Sequence, residues 1–121
     1  MGENRIKLVA ADMDGTLLNR ERKITKYTQN VIKKAMAQGV YFVPATGRAV
    51  NALPPELKEM EGIRYGIFSN GATIYDLKEE KVIYKNHFEM DRVLELMDFL
   101  KQFDLMESIS LNGQSYACLL Y

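Results

Sequence analysis

The run Ile6-Lys7-Leu8-Val9-Ala10-Ala11 is nearly continuous in apolar side chains and stops abruptly on Asp12-Met13-Asp14-Gly15-Thr16-Leu17. A strand that is apolar throughout, rather than at alternate positions, fits a sheet covered on both faces, as parallel sheets are. A run that ends on two carboxylates and a glycine places charge at the carboxyl end of that strand. In open α/β sheets, ligands bind at this edge.

The segments that follow continue the pattern. Thr25 is a plausible N-cap, and Thr28, Val31, Ile32, Ala35 and Met36 recur at helical spacing. Lys33 and Lys34 suit the last turns, and Gly39 supplies a left-handed stop. Val40 to Ala45 predicts a second short strand. A second helix is expected from Arg48, interrupted or restarted at Pro54-Pro55 and closed by Met60 and Gly62. Tyr65 to Ser69 predicts a third strand. Strand, helix, strand, helix, strand is a doubly wound α/β pattern with right-handed crossovers, a Rossmann-like core. Thr73 to Tyr75 and Lys81 to Tyr84 then flank a charged turn, a hairpin signal. Asp91 to Phe103 is helical, with Val93, Leu94, Met97 and Leu100 on one stripe. Ser108 to Leu111 and Ser115 to Leu120 surround Asn112-Gly113, a strong hairpin signal. The change of pattern divides the chain into an α/β core over 1–83 and the beginning of an α+β module over 84–121.

Sixteen basic residues balance sixteen acidic ones among 121, so no global field favours nucleic acid or an anionic membrane. Cys118 is the single cysteine, which excludes an intrachain disulfide and a Cys-rich zinc site and suits a reducing, cytoplasmic setting. The polar N-terminus and the charges at Asp12 and Asp14 leave no room for a signal peptide or membrane span. Gly2 lacks the Ser or Thr that myristoylation wants, finding Ile6. The last apolar run, Tyr116 to Tyr121, reaches the end of the chain. Three parallel strands are few for a sheet covered on both faces. The expectation is a chain that is part of something longer, or one that pairs through unfinished sheet edges.

The chemistry concentrates at two strand ends. Asp12 and Asp14, two residues apart, can project to one side, while Gly15 lets the chain turn and brings the backbone N–H groups of Met13 and Asp14 toward an anion. Asp12 could attack phosphorus of a phosphate monoester in line, and Asp14 could protonate the departing alkoxide and later accept a proton from water. Like charges ~4 Å apart cost about 4 kcal/mol at an effective dielectric near 20, so two carboxylates meeting a phosphate dianion require a divalent cation. An all-oxygen site beside phosphate selects Mg²⁺. Thr46 and Gly47, ending the second strand at the same edge, can give a hydroxyl and an N–H to a phosphate oxygen.

Asp12 to Asn19, Ala45-Thr46-Gly47-Arg48 and Ser69-Asn70-Gly71-Ala72 together resemble the haloacid dehalogenase superfamily, and more closely its Cof-like phosphatases with a class IIB cap. The resemblance implies a phosphatase of small phosphorylated metabolites such as sugar phosphates. In it Asp12 is the nucleophile and Asp14 the general acid/base. The Asp12 carboxylate and the Asp14 carbonyl would be Mg²⁺ ligands, and Thr46 the second-motif phosphate binder. The hairpin around Lys78 would lead into the cap. Such enzymes also use a third-motif lysine and fourth-motif carboxylates that follow the cap, and no residue of these 121 takes those roles.

Plainer readings accompany these. A calcium loop is excluded, because Leu17 stands where glycine is needed and Lys23 where glutamate is. A nucleotide-sugar Asp-x-Asp site or a plain turn fits Asp12 and Asp14 as well. Thr46 could cap a helix, and Arg48 could assist an anion or start a helix in solvent. Asn70-Gly71 reads first as a turn, His87 as a surface or linker residue, Cys118 as a small packed residue, and the methionines of the last helix as core. The rival to an enzyme is a non-catalytic module that binds Mg²⁺ or phosphate weakly, or pairs with another chain.

Overall fold

The computed structural model describes residues 5–112 and 114–118. Its strands and helices run β1 (Leu8–Asp12), α1 (Lys26–Ala37), β2 (Tyr41–Ala45), α2 (Pro55–Lys58), β3 (Tyr65–Phe68), β4 (Thr73–Asp76), β5 (Lys81–Lys85), α3 (Met90–Leu100), β6 (Glu107–Leu111) and β7 (Gln114–Cys118). One sheet has the order β1-β2-β3-β4-β5, and β6 and β7 form a separate pair. β1, β2 and β3 are parallel, with Asp12 opposite Ala45 and Ala45 opposite Ile67. β4 and β5 continue the sheet antiparallel. The α/β core expected from the sequence is therefore present, extended by the hairpin.

Local signals act where they were read. The Thr25 hydroxyl accepts from the Thr28 N–H at 3.2 Å at the start of α1, and Gly39 follows the helix at φ +82°. Pro55 opens α2. The second crossover is a single turn at Val50–Ala52 followed by this short helix, not one continuous helix, because Pro54-Pro55 has no amide hydrogens to offer the preceding turn. Ile32, Phe42, Leu57, Met60, Ile63 and Phe68 pack with Met13, Leu18 and Ile24 from the loop after β1. The loop that carries the acidic pair is thus anchored in the core.

Two expectations fail. β1 is an edge strand whose Leu8 and Val9 stand 54% and 40% exposed, because α1 packs mainly over β2 and no strand among the described residues lies on β1's other side. Among the described residues none after Asp76 is buried. Met90 is exposed and Met97 only half-buried, so the methionines of α3 are not core, one helix and one hairpin having too little apolar surface to enclose them. Asn112 sits at φ +50° between β6 and β7, as the hairpin signal required. Gly2, Gly113, the Cys118 side chain and the final residues, on which other readings rested, lie outside the described residues. No helix among the described residues is long and apolar enough to cross a membrane.

Candidate active site

The register of β1 on β2 sets the geometry. Asp12 is the last residue of β1 and pairs with Ala45, the last of β2, so Thr46 begins the next loop beside Asp12. The chain then turns at Met13–Leu17. Met13 is wholly buried, and its carbonyl accepts from Leu18 N at 2.8 Å, closing the turn. Gly15 holds φ +79°, a left-handed conformation that costs a side-chain-bearing residue about 1–2 kcal/mol. With Met13 turned inward, Asp12, Asp14 and Thr16 are all exposed. The Thr16 hydroxyl donates to Asp12 Oδ2 at 3.2 Å.

Thr46 is buried, 6% exposed. Its N–H donates to the Ile67 carbonyl at 2.9 Å, and its hydroxyl oxygen accepts from Arg48 N at 3.1 Å. The hydroxyl hydrogen therefore stays free for a further acceptor. No helix starts at Thr46, since the next helical turn, Val50–Ala52, follows Ala49, so the bond to Arg48 N closes a local turn and the helix-cap reading fails. Gly47 is exposed beside it, and a Cβ there would lie 2.7 Å from Asn70 Oδ1. Ser69, Asn70 and Gly71 all have positive φ. Ser69 N donates to Arg48 O at 3.0 Å and Asn70 N to Thr46 O at 3.2 Å. The Asn70-Gly71 turn thus braces the Thr46 loop. His87 is exposed in the linker after β5, as expected, with Nε2 3.2 Å from the Thr73 hydroxyl.

Arg48 is neither a helix start nor simply solvated. Its Nε donates to Asp14 Oδ2 at 2.9 Å and its Nη2 to Asp14 Oδ1 at 2.6 Å. This bonding holds the Asp14 carboxyl below the usual carboxylate range, burial opposing it only in part, and raises Arg48. A carboxylate in that state suits a base and not yet an acid. The pairing was missed because it joins residues 34 apart through two different loops. Its signal was the placement of Thr-Gly-Arg at the same sheet edge as an exposed acid.

Among the described residues no cluster of three His, Cys, Asp or Glu side chains could hold a metal. What the chain can supply here is the Asp12 carboxylate, at the end of β1, and the main-chain carbonyl of Asp14 two residues on. Such hard oxygen donors fit Mg²⁺ in kind, since that ion keeps several waters and takes one or two carboxylates plus phosphate. The edge is open. Two cavities of about 190 and 270 Å³ lie elsewhere, the first between Asn51, Tyr75 and Gln114, the second between Met36, Tyr41 and Gly62.

The model of the haloacid dehalogenase-like hydrolases matches residues 9–119. A protein of Buchnera aphidicola subsp. Schizaphis graminum, provisionally named a phosphatase, is 39% identical over 113 residues, covering 91% of this chain and 40% of the relative. A 5-amino-6-(5-phospho-D-ribitylamino)uracil phosphatase of Bacillus subtilis is 37% identical over 89 residues, 70% of this chain and 36% of its own. Among solved structures, a HAD-superfamily phosphatase from Bacteroides thetaiotaomicron superposes with a TM-score of 0.80 at 29% identity, covering 99% of this chain and 44% of that one. A HAD subclass IIB sugar phosphatase gives 0.76 at 29% identity, covering 93% and 44%. The chain spans about two fifths of the length of the curated relatives it matches.

Proposed function

The chain belongs to the haloacid dehalogenase-like hydrolases, and from that membership we propose that the whole protein is a cytoplasmic, Mg²⁺-dependent phosphatase of small phosphorylated metabolites, sugar phosphates among them. The likeness to a sugar phosphatase and to a phosphoribityl-uracil phosphatase supports that substrate class. The observation that carries the reading is the pairing of Asp12 with Ala45, which brings a carboxylate, the Thr46 hydroxyl and the Asp14 loop to one sheet edge. The division into a core over 1–83 and a cap start over 84–121 belongs to the same proposal; β5 ends at Lys85, two residues past that boundary.

In this mechanism Asp12 attacks phosphorus in line and forms an aspartyl-phosphate, while Asp14 gives a proton to the departing alkoxide. Water then attacks the acyl-phosphate, and Asp14 takes its proton. The Thr46 hydroxyl and the amides of Gly47, Met13 and Asp14 hold the phosphoryl oxygens. Mg²⁺, at the Asp12 carboxylate and Asp14 carbonyl, would offset the repulsion between carboxylates and dianion. Third-motif lysine and fourth-motif carboxylate roles are assigned to no residue of these 121.

Hydrolysis of p-nitrophenyl phosphate, with and without Mg²⁺, tests the reading on wild type and Asp12→Asn. Mg²⁺-dependent release that falls about 10³-fold or more in Asp12→Asn is expected. Equal background in all four samples favours the non-catalytic module, a reading to which the exposed apolar edge of β1 lends weight.

A further inference from the structure

The fork-to-fork contact between Arg48 and Asp14 carries a consequence for how the proposed reaction starts. Both carboxylate oxygens of Asp14 accept from the guanidinium, at 2.9 and 2.6 Å. A group that is to protonate a leaving oxygen must turn one oxygen toward it, and here both are held in one orientation by the same cationic fork. The acid role assigned to Asp14 is therefore favoured once Arg48 lets go and the carboxyl can turn.

The contact is built to be exchanged. Both side chains are partly in solvent, Arg48 at 27% and Asp14 at 52% exposure, so another anion can reach the guanidinium and compete for it. The backbone beneath Arg48 is fixed, in contrast. Its N–H donates to the Thr46 hydroxyl at 3.1 Å, and its carbonyl accepts from Ser69 N at 3.0 Å. The other guanidinium nitrogen, Nη1, reaches only the Ala52 carbonyl at 3.4 Å. A firm base and a solvent-accessible head sit two residues beyond Thr46. A phosphate dianion offers the guanidinium fork more charge than a carboxylate and matches its geometry equally well.

We propose that Arg48 is shared between two anions: it holds Asp14 while the site is empty and transfers to the substrate's phosphate on binding, so that arrival of the phosphate releases the proton-transferring carboxylate. This rests on the reading of Asp12, Asp14 and Thr46 as a phosphohydrolase site, and it gives Arg48 a substrate-binding role in that site. The rival account is a permanent structural tie between the two loops, which predicts a different response to phosphate.

The test uses the 121-residue chain with ¹⁵N-labelled arginine and inorganic phosphate as the probe, in the presence of Mg²⁺. Without phosphate, the Arg48 Nε–H resonance is expected to move in Asp14→Asn; with phosphate, it is expected to move in the wild type. Asp14→Asn also removes a negative charge, so phosphate affinity rises for that reason alone. The informative quantity is the coupling. The gain from Asp14→Asn should be about fivefold larger with arginine at 48 than in an Arg48→Gln background, the factor corresponding to one solvent-exposed ion pair. Arg48→Lys, which keeps charge without the fork, should recover only part of the coupling. Equal gains in both backgrounds, with phosphate still bound, overturn the sharing while leaving the phosphate site intact. An Arg48 resonance indifferent to Asp14→Asn removes the ion pair and the inference with it. Failure of every variant to bind phosphate overturns a phosphate site built from these 121 residues, and the sharing along with it.

Discussion

Two glycines in the site loops are needed for opposite reasons. Gly15 holds φ +79° with nothing within 4 Å of where a Cβ would stand, whereas Gly47 has ordinary φ but faces Asn70 Oδ1 at 2.7 Å. Gly15→Ala should therefore cost about 1 kcal/mol in urea unfolding through backbone conformation alone, whatever its neighbours. Gly47→Ala should cost a similar amount that largely disappears when Asn70→Gly is added, a coupling read from the four-variant cycle. Independence of the two sites would contradict the packing described. The placement of Asp12, Asp14 and Thr46 at the sheet edge was legible in the sequence because each follows from its own strand end and a local turn. The partners Arg48 and Asn70 were not, because what they touch is decided by how separate loops cross at the sheet edge.

At the scale of elements, the β4–β5 hairpin depends on one carboxylate. Asp76 is 2% exposed. Its Oδ1 accepts from the amides of Lys78 and Glu79, both at 3.0 Å, and its Oδ2 from Arg64 Nε at 3.0 Å. The amide of Glu79 foremost, then Arg64 and the amide of Lys78, hold this carboxyl below the usual range against the opposing effect of burial. A folded value below the unfolded one, about 3.9, means that the stabilisation is complete above that value and is lost as pH falls through the folded one. The urea midpoint of the wild type should thus fall on acidification below about pH 4, and Asp76→Asn, already less stable at neutral pH, should lose part of that acid limb. An unchanged limb would contradict the assignment. The hairpin and α1 were readable from alternation, turn residues and the Thr25 cap, all short-range signals. In the second crossover the restart at Pro54-Pro55 was read correctly, whereas the helix expected from Arg48 is only the single turn Val50–Ala52.

Over the whole molecule, burial and apolar character part company. Leu57 is wholly buried, yet Leu8, in a strand that reads as interior, is 54% exposed. Leu57→Ala should cost about 3 kcal/mol, while Leu8→Lys should change the stability of this chain by no more than about 0.5 kcal/mol. A large loss at Leu8 would mean that β1 is covered in solution. Sequence pattern reports what a strand is suited to be packed against, and only the assembled fold reports what is there, which is why β1 and α3 were misjudged for burial while the α/β order was read correctly. The account stands or falls on Asp12 as the group that receives phosphate. Protein turning over p-nitrophenyl phosphate with Mg²⁺ should be quenched and reduced with borohydride, and the peptide carrying Asp12 examined by mass spectrometry. Reductive modification at Asp12, absent without substrate, is the predicted result; phosphate release with Asp12 unmodified, or with the modification on another residue, would contradict it.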